Sequence, residues 1–206
     1  GIQPSDLLNN IVTSGDGLYK DICEENRYIY RGGNPDNYIK FNDELWRIVS
    51  LENDGALKIV RNESIGNRNF DTKGSRISGY CSYGGAPEYG CNVWMSTNSF
   101  IGANISGAVD KDAELNSYLN TPYYNSIKNN ADKINPNSTF WVGPVSYADV
   151  ATNDVALSDI ISQEKKYKWN GKIALPVVSE FVMASNNSSC TNAYAYLNNS
   201  NCYSNS

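Results

Sequence analysis

Two tight turns divide residues 38–61 into three short segments, and this stretch most constrains how the chain can fold. Asn42-Asp43 and Asp54-Gly55 supply the turns, because Asn, Asp and Gly tolerate the positive φ that two-residue hairpin turns require. The middle segment is apolar on both faces, with Trp46 and Ile48 on one and Leu45, Val49 and Leu51 on the other. A strand of this kind is covered on both faces. We therefore expect residues 45–51 to form the centre of a sheet, with Trp46 in the core.

Three further segments have strand patterns. Residues 27–31 alternate polar and apolar side chains and lead through Gly32-Gly-Asn-Pro35 towards the first of the three segments, so we expect at least four strands in the sheet. Residues 139–143 are predicted as a strand. Residues 172–177 are predicted as another, which Pro176 ends or places at an edge. Trp169-Asn-Gly171 is predicted as a turn.

The clearest helical signals lie in residues 112–130. Leu115, Tyr118 and Leu119 share one face of a first helix. Thr121 is expected to cap a second helix with Pro122 at its first position. These two short helices are predicted to pack on one side of the sheet.

Shorter helices are predicted elsewhere. Residues 4–13 carry apolar side chains at i, i+4 spacing, with Ser5 as the N-cap. A helix is expected around residues 155–161, and Ser179 is expected to cap another. Since no internal repeat or linker divides the chain, we predict a lead-in helix over residues 1–16 and one domain over residues 17–206.

The composition favours an all-β or α+β protein with long loops. Asn, which prefers turns to regular elements, is unusually common, and Tyr (15) greatly outnumbers Phe (5) in 206 residues. The net charge of −5 argues against nucleic acid or an anionic membrane as the main partner, because both need a clustered basic surface. No apolar stretch approaches the ~20 residues of a membrane span. We expect membrane attachment only through an anchor outside this chain.

Five cysteines are spaced like short disulfide loops, without a CxxC pair. The simplest pairing joins Cys81 to Cys91 and Cys190 to Cys202, and it implies an oxidising, extracellular compartment. Cys23 is then left over, as a free buried thiol or with a partner beyond this chain. Because the chain contains no His, a zinc site would need cysteines at unsuitable spacing or carboxylates.

The cysteine-bounded loop at residues 80–94 is rich in Tyr, Ser and Gly. Tyr offers rigid contact area, and Ser and Gly allow adaptation, as on surfaces that proteins use for recognition. Tyr80, Tyr83, Tyr89 and Trp94 are therefore candidate ligand-binding residues. The alternative is a disulfide-pinned surface loop that binds nothing.

Several motifs together resemble a known family. They are Trp46-Arg-Ile-Val49, Leu57-Lys-Ile-Val60, residues 115–127 and Lys172-Ile-Ala-Leu-Pro-Val-Val-Ser-Glu-Phe181. In this order they resemble an uncharacterised extracellular domain of low-GC Gram-positive gut bacteria, which often follows a membrane anchor or a pilin-like N-terminus. The resemblance covers residues 17 to about 203. The chain differs from the typical member in two ways: it has the loop at residues 80–94, and it lacks the Trp-containing strand with which members usually end.

The family is more distantly similar to the C-type-lectin-like fold shared with formylglycine-generating enzymes. The resemblance implies an α+β fold with small twisted antiparallel sheets, two short helices and long loops that form the binding surface. Calcium is the ion that such a domain would bind, yet Trp169-Asn-Gly171 matches only part of the Trp-Asn-Asp element of calcium-dependent lectins. No cofactor is predicted.

The absence of His removes the usual base of Ser/His/Asp and Cys/His catalysis, and no motif marks another catalytic arrangement. We therefore expect a non-enzymatic domain at a bacterial cell surface that binds a glycan or protein ligand through loops. One alternative is a structural subunit of a pilus or surface assembly, with residues 1–14 as the end of a longer helix. The other is an enzyme that uses carboxylates.

Overall fold

The structure, a computed structural model, describes residues 3–71, 94–95, 112–143, 145, 150 and 155–187, without the side chains of 128, 129 and 131. It has an α+β fold with antiparallel sheets, as the sequence predicts. The chain divides into two compact units. We call Gly1–Ser64, Val145–Glu164 and Pro176–Ser206 the sheet unit, and Ile65–Pro144 and Lys165–Leu175 the hairpin unit. The lead-in over residues 1–16 and the one domain over residues 17–206 remain predictions.

The sheet unit contains a five-stranded antiparallel sheet. Its strands are β1 (Gly17–Lys20), β2 (Tyr28–Arg31), β3 (Tyr38–Phe41), β4 (Glu44–Leu51) and β5 (Leu57–Arg61). β4 pairs with β2, β3 and β5, which confirms the predicted centre of the sheet. β1 was not predicted, because its four residues lie between turn signals and are fixed by pairing with β2.

The two turns around β4 differ in length. Asn42 and Asp43 have φ angles of 54° and 56°, so they form the predicted two-residue turn between β3 and β4. After β4 the turn is longer than predicted, because the Glu52 amide donates to the Ala56 carbonyl oxygen at 2.8 Å. Gly55 has a φ of 85° in this turn, and its amide donates to the Glu52 carbonyl oxygen at 2.9 Å.

Only one face of the first half of β4 is covered, which corrects the prediction for Leu45. Trp46 packs edge-on against Phe41, with ring centres 5.7 Å apart, and Ile48 is buried. Leu45 is 48% exposed, because it pairs with exposed Lys40 on the opposite face. The apolar alternation therefore identified the strand but overestimated its coverage.

The N-terminal segment forms a 3-10 helix at Pro4–Asn10. The predicted Ser5 cap is wrong, because Pro4 already occupies the first turn and Gln3 precedes the helix without a side-chain cap. After the helix, the Val12 amide donates to the Leu18 carbonyl oxygen at 2.8 Å. This bond holds the N-terminal segment against β1.

The hairpin unit contains one helical run instead of the two predicted helices. The run comprises α1 (Glu114–Tyr118), a π-helical turn (Leu119–Tyr123), α2 (Tyr124–Ser126) and a 3-10 helix (Lys128–Lys133). Thr121 is not an N-cap, because the helix continues through it and Pro122 lies inside the π-helical turn. The wider turn keeps the chain helical although Pro lacks an amide hydrogen.

The described part of this unit also contains a pair of antiparallel strands, β6 (Ser138–Trp141) and β7 (Lys168–Gly171). β6 confirms the predicted strand near residues 139–143. The predicted turn at Trp169 is wrong, because Trp169 pairs with Phe140 inside β7. Residues 172–177 contain no strand, since the amides of Lys172 and Ile173 donate to the Asn120 side-chain oxygen instead of a neighbouring strand.

Two helices of the sheet unit, α3 (Leu157–Glu164) and α4 (Val178–Ala184), pack together through buried Ile160 and Val182. Both were predicted near these positions. Ser179 does not cap α4, because the N-cap position is Val177. Within the described ranges, no helix has both the length and the hydrophobicity of a membrane span.

Candidate functional site

Most of the residues singled out from the sequence lie outside the described part of the chain. They are Tyr80, Tyr83, Tyr89, Cys81, Cys91, Cys190 and Cys202. Cys23 is described, and its side chain is exposed in the loop between β1 and β2. The buried-thiol alternative for Cys23 is therefore wrong, because most of this loop is exposed, including Ile22 at 82%. The other alternative, a partner beyond this chain, stays a prediction. The disulfide pairings remain predictions.

Trp94 lies in the core of the hairpin unit. It is only 6% exposed, and its ring packs edge-on against Trp169 with centres 5.4 Å apart. Phe70 contacts it from another direction, with ring centres 6.2 Å apart. Because a ring covered in this way offers little surface to a ligand, the burial does not support the predicted ligand contact through Trp94.

The backbone of Trp94 positions the start of α1. Its carbonyl oxygen accepts hydrogen bonds from the Ala113 amide at 3.2 Å and from the side-chain amide of buried Asn116 at 2.9 Å. The Leu115 amide donates to the Phe70 carbonyl oxygen at 3.0 Å. The two bonds from Ala113 and Leu115 use backbone amides at the helix start that have no partner inside the helix. α1 is therefore fixed in position and in rotation.

This anchoring directs the opposite side of α1 towards a cavity. Glu114, Ser117 and Tyr118 share one side of the helix, because residues three and four apart are neighbours on a helix surface. They line an open cavity of about 660 Å³ together with Asp112 and Leu115. Asn116 points away into the core. α1 thus holds the unit together on one side and lines the cavity on the other, with polar groups and the apolar side chain of Leu115.

Residues 67–69 form the other wall of the cavity. The guanidinium carbon of Arg68 lies 3.3 Å from the centre of the Tyr118 ring, so the two walls meet in a cation–π contact. Asn67 and Asn69 flank this contact and line the same cavity. Arg68 therefore covers one face of the Tyr118 ring.

The groups in the cavity include donors and acceptors in close alternation. Two Asn amides and two hydroxyl groups can both donate and accept hydrogen bonds. Two carboxylates accept them, and one guanidinium donates them. The formal charge is one negative, from Asp112 and Glu114 against Arg68. This lining suits a neutral ligand rich in hydroxyl groups and disfavours a strongly anionic one.

The sheet unit contains a buried Ser–Glu pair that does not form a catalytic site. Ser179 donates through its hydroxyl to one oxygen of Glu164 at 2.5 Å and through its amide to the other at 2.9 Å. Burial raises the pKa of Glu164, although the Ser179 bonds oppose the shift. Since both side chains are buried, a substrate has no access to this pair.

The described residues contain no group of three or more acids, cysteines or histidines that could hold a metal ion. Trp169-Asn-Gly171 lies in β7, so the element compared with the calcium-binding motif belongs to a paired strand and not to a loop. Calcium binding remains a prediction of the resemblance.

The cavity was not predicted from the sequence. Residues 62–79 have no periodicity, and the only local signal was the polar run Asn67-Arg68-Asn69. The helical run was identified through one side of it, Leu115, Tyr118 and Leu119. That pattern does not predict a polar partner 46 or more positions earlier in the sequence. Only the fold brings the two segments together.

Comparison with protein-family models, with curated proteins and with solved structures found no match to this chain.

Proposed function

We propose that the protein is a non-catalytic binding domain of a bacterial cell surface, and that it recognises a glycan in the cavity beside α1. The observation that carries the proposal is the lining of this cavity, where amide, hydroxyl and carboxylate groups stand within one open space of about 660 Å³. A sugar ring carries alternating hydroxyl groups that donate and accept. Such a ring can hydrogen-bond to several of these protein groups at once, whereas an apolar ligand offers them no hydrogen bond.

The extracellular location is supported by the spacing of the four cysteines Cys81, Cys91, Cys190 and Cys202, which favours local disulfides. It is also supported by the resemblance to extracellular domains of Gram-positive gut bacteria. The same resemblance supports a C-type-lectin-like arrangement with disulfide-pinned loops. Attachment to the membrane would then use an anchor outside this chain.

The loop at residues 80–94 is proposed as a second contact surface. In the sequence it lies between the two walls of the cavity, after residues 67–69 and before α1. Tyr80, Tyr83 and Tyr89 are its proposed contact residues. A protein ligand, the other candidate, would depend mainly on this loop, whereas a glycan would depend mainly on the cavity.

A glycan array with the intact domain tests the proposal. The variant Asn69→Ala with Ser117→Ala removes two hydrogen-bonding groups from the cavity, and binding should fall about tenfold if each bond contributes ~0.7 kcal/mol. The matched control is Asn137→Ala with Ser126→Ala, which removes the same groups from exposed positions of the same unit outside the cavity. Equal binding by the cavity variant and the control would reject the cavity as the site.

A separate variant, Tyr83→Ala with Tyr89→Ala, tests the loop. If it binds the selected ligand as tightly as the unchanged domain, the loop assignment is wrong even where the cavity assignment holds. A protein ligand recovered by pull-down and lost only in this variant would instead favour protein recognition.

The cavity also contains two carboxylates, Asp112 and Glu114, and this observation keeps the carboxylate-enzyme alternative open to test. Bound glycans should be incubated with the domain and assayed for newly formed reducing ends. Turnover that disappears in Glu114→Gln would replace the binding proposal with a glycosidase. The pilus alternative is tested by the sequence upstream of Gly1, where a prepilin-type hydrophobic segment would favour assembly.

A further inference from the structure

A second cleft lies in the sheet unit, between the N-terminal 3-10 helix and the ends of two hairpins. Its volume is about 420 Å³, and Pro4 and Leu8 form one wall of it. Tyr28, at the start of β2, and Leu51, at the end of β4, form the apolar floor. Leu8 is 37% exposed, so part of an aliphatic side chain faces this space. The cleft therefore offers apolar contact on two sides.

One carboxylate stands at this apolar floor. Glu52 lines the cleft, and its two oxygens each accept one hydrogen bond, at 3.1 Å from Nε of Arg27 and at 2.5 Å from the Ser50 hydroxyl. A carboxylate has about four acceptor positions. Each oxygen of Glu52 can therefore accept a further donor from a ligand without giving up the bond that holds it in place.

The charge beneath the cleft is not balanced. Arg27 is shared between Glu52 and buried Asp21, whose oxygen lies 2.9 Å from the guanidinium. Burial alone would raise the pKa of Glu52, but Arg27 and Lys58 hold it below its usual value, so Glu52 is ionised at neutral pH. Lys58 is itself paired with Glu180 at 3.0 Å. These five groups, two cations (Arg27, Lys58) and three carboxylates (Asp21, Glu52, Glu180), together carry one net negative charge.

The loops that frame the cleft add to this charge. Beyond Asp21 and Glu52, the segments 21–27 and 52–54 carry Glu24, Glu25 and Asp54, against the single cation Arg27. A cation that also has an apolar part would match both properties of the site. Its charge would meet Glu52, and its carbon chain would cover Leu8 and Leu51.

We propose that this cleft binds the lysine side chain of a basic peptide segment in a partner protein. The lysine methylenes lie along Leu8, Tyr28 and Leu51, and the ammonium group donates to Glu52. Lysine is chosen over arginine, because an ammonium group needs one remaining acceptor position on a single Glu52 oxygen. An arginine fork would need the remaining position of both oxygens at once, while Arg27 and Ser50 hold the others. Ser5, Asn26 and Asn53 also line the cleft, and their side chains can hydrogen-bond to a peptide backbone.

The test uses the intact chain and a pentapeptide with one central lysine between glycines, acetylated and amidated at its ends. Amide chemical shifts followed by NMR should move around Leu8, Leu51 and Asn53. A peptide with norleucine at the centre keeps the carbon chain and lacks the charge, and it should bind about tenfold more weakly. Binding of the lysine peptide should also weaken as salt rises.

Protein variants locate the site without disturbing the Arg27 cluster. Leu8→Ser changes a partly exposed side chain of the cleft and should weaken the lysine peptide roughly three- to tenfold. Asp43→Asn removes one negative charge from a side chain that is 98% exposed and lies outside the cleft, and it should leave binding unchanged.

Equal binding of the lysine and norleucine peptides would overturn the proposal. So would amide chemical-shift changes confined to other residues, or lysine-peptide binding that Leu8→Ser leaves unchanged. Tighter binding of the matching arginine peptide would overturn the choice of lysine. The cleft belongs to the sheet unit and the glycan cavity to the hairpin unit. Failure of either proposal in its own assay therefore leaves the other standing.

Discussion

Glu164 accepts both hydrogen bonds that Ser179 can donate, one from the amide and one from the hydroxyl. Glu164 is the last residue of α3, and Ser179 is the second residue of α4. The carboxylate therefore satisfies an amide at the start of α4 that has no partner inside the helix. It replaces the N-cap that Val177 cannot provide, and it fixes α4 against α3.

Ser179→Ala tests this connection. It removes the hydroxyl donor and leaves a buried carboxylate with one partner fewer, so the free energy of unfolding should fall by about 1–3 kcal/mol. Urea unfolding measures the change. Ser126→Ala is the matched control, since the Ser126 hydroxyl also donates one hydrogen bond, to the Tyr123 carbonyl oxygen, but is exposed. A loss in Ser179→Ala no larger than in Ser126→Ala would contradict the role assigned to the pair.

The raised pKa of Glu164 predicts a pH dependence. A carboxyl whose folded pKa lies above its unfolded value binds a proton more tightly in the folded state. Its contribution to stability is complete below the unfolded pKa, about 4.3, and is lost as pH rises through the folded pKa. The stability of the unchanged protein relative to Glu164→Gln should therefore decline with rising pH.

Chemical unfolding of both proteins at a series of pH values from about 4 to 7 measures this difference. A difference that is flat over the range would mean that Glu164 has the same pKa in both states. A difference that grows with pH would mean that the hydrogen bonds from Ser179 outweigh burial and lower the pKa.

Arg27 supports a second prediction about charge. Its side chain is largely buried between Asp21 and Glu52, and although burial lowers its pKa, the two carboxylates raise the pKa above the usual range. Arg27→Met keeps the length of the side chain but leaves both carboxylates without their cation. The free energy of unfolding at pH 7 should fall by about 3–5 kcal/mol.

This loss should shrink in acid. The folded pKa of Glu52 is lowered, so its contribution is present above the unfolded pKa and is lost as pH falls through the folded pKa. Lys40→Met is the control, because Lys40 and Asp43 form an ion pair at 3.5 Å whose side chains are largely exposed. Loss of this pair should lower the free energy of unfolding only slightly. Equal losses in the two variants would show that the Arg27 cluster behaves like a surface pair.

The part of the fold that could be predicted from the sequence is the part that local chemistry determines. Asn42 and Asp43 adopt the positive φ that their side chains favour, and the strands on either side follow from the turn. Trp169 shows the limit. Trp169-Asn-Gly171 has the composition of a turn, yet it pairs with Phe140, 29 residues earlier, and this pairing overrides local preference.

Less of the candidate site than of the fold could be predicted from the sequence. Arg68 stands in a stretch without periodicity, and its contact with Tyr118 depends on how Trp94 and Phe70 hold α1. Such a contact joins segments that are 50 residues apart in the sequence. Sequence patterns report which side of a helix is apolar, but they do not report which polar segment lies opposite the other side.

Gly171 provides the last prediction, on the core of the hairpin unit. Trp169 and Gly171 lie on the same side of β7, and a Cβ atom at Gly171 would lie only 2.0 Å from Cη2 of the Trp169 ring. Gly171 therefore leaves the space into which the ring folds to meet Trp94 and Phe140. Gly171→Ala should displace the ring and lower the free energy of unfolding by about 1–3 kcal/mol.

A double variant separates this clash from any effect of the backbone. Gly171 does not have a positive φ, so alanine adds no strain of that kind. In a Trp169→Leu background, where the ring is absent, Gly171→Ala should cost much less than in the unchanged protein, and thermal unfolding of the four proteins gives the coupling. If the cost is the same in both backgrounds, the ring does not lie over Gly171, and the packing around Trp94 must be different.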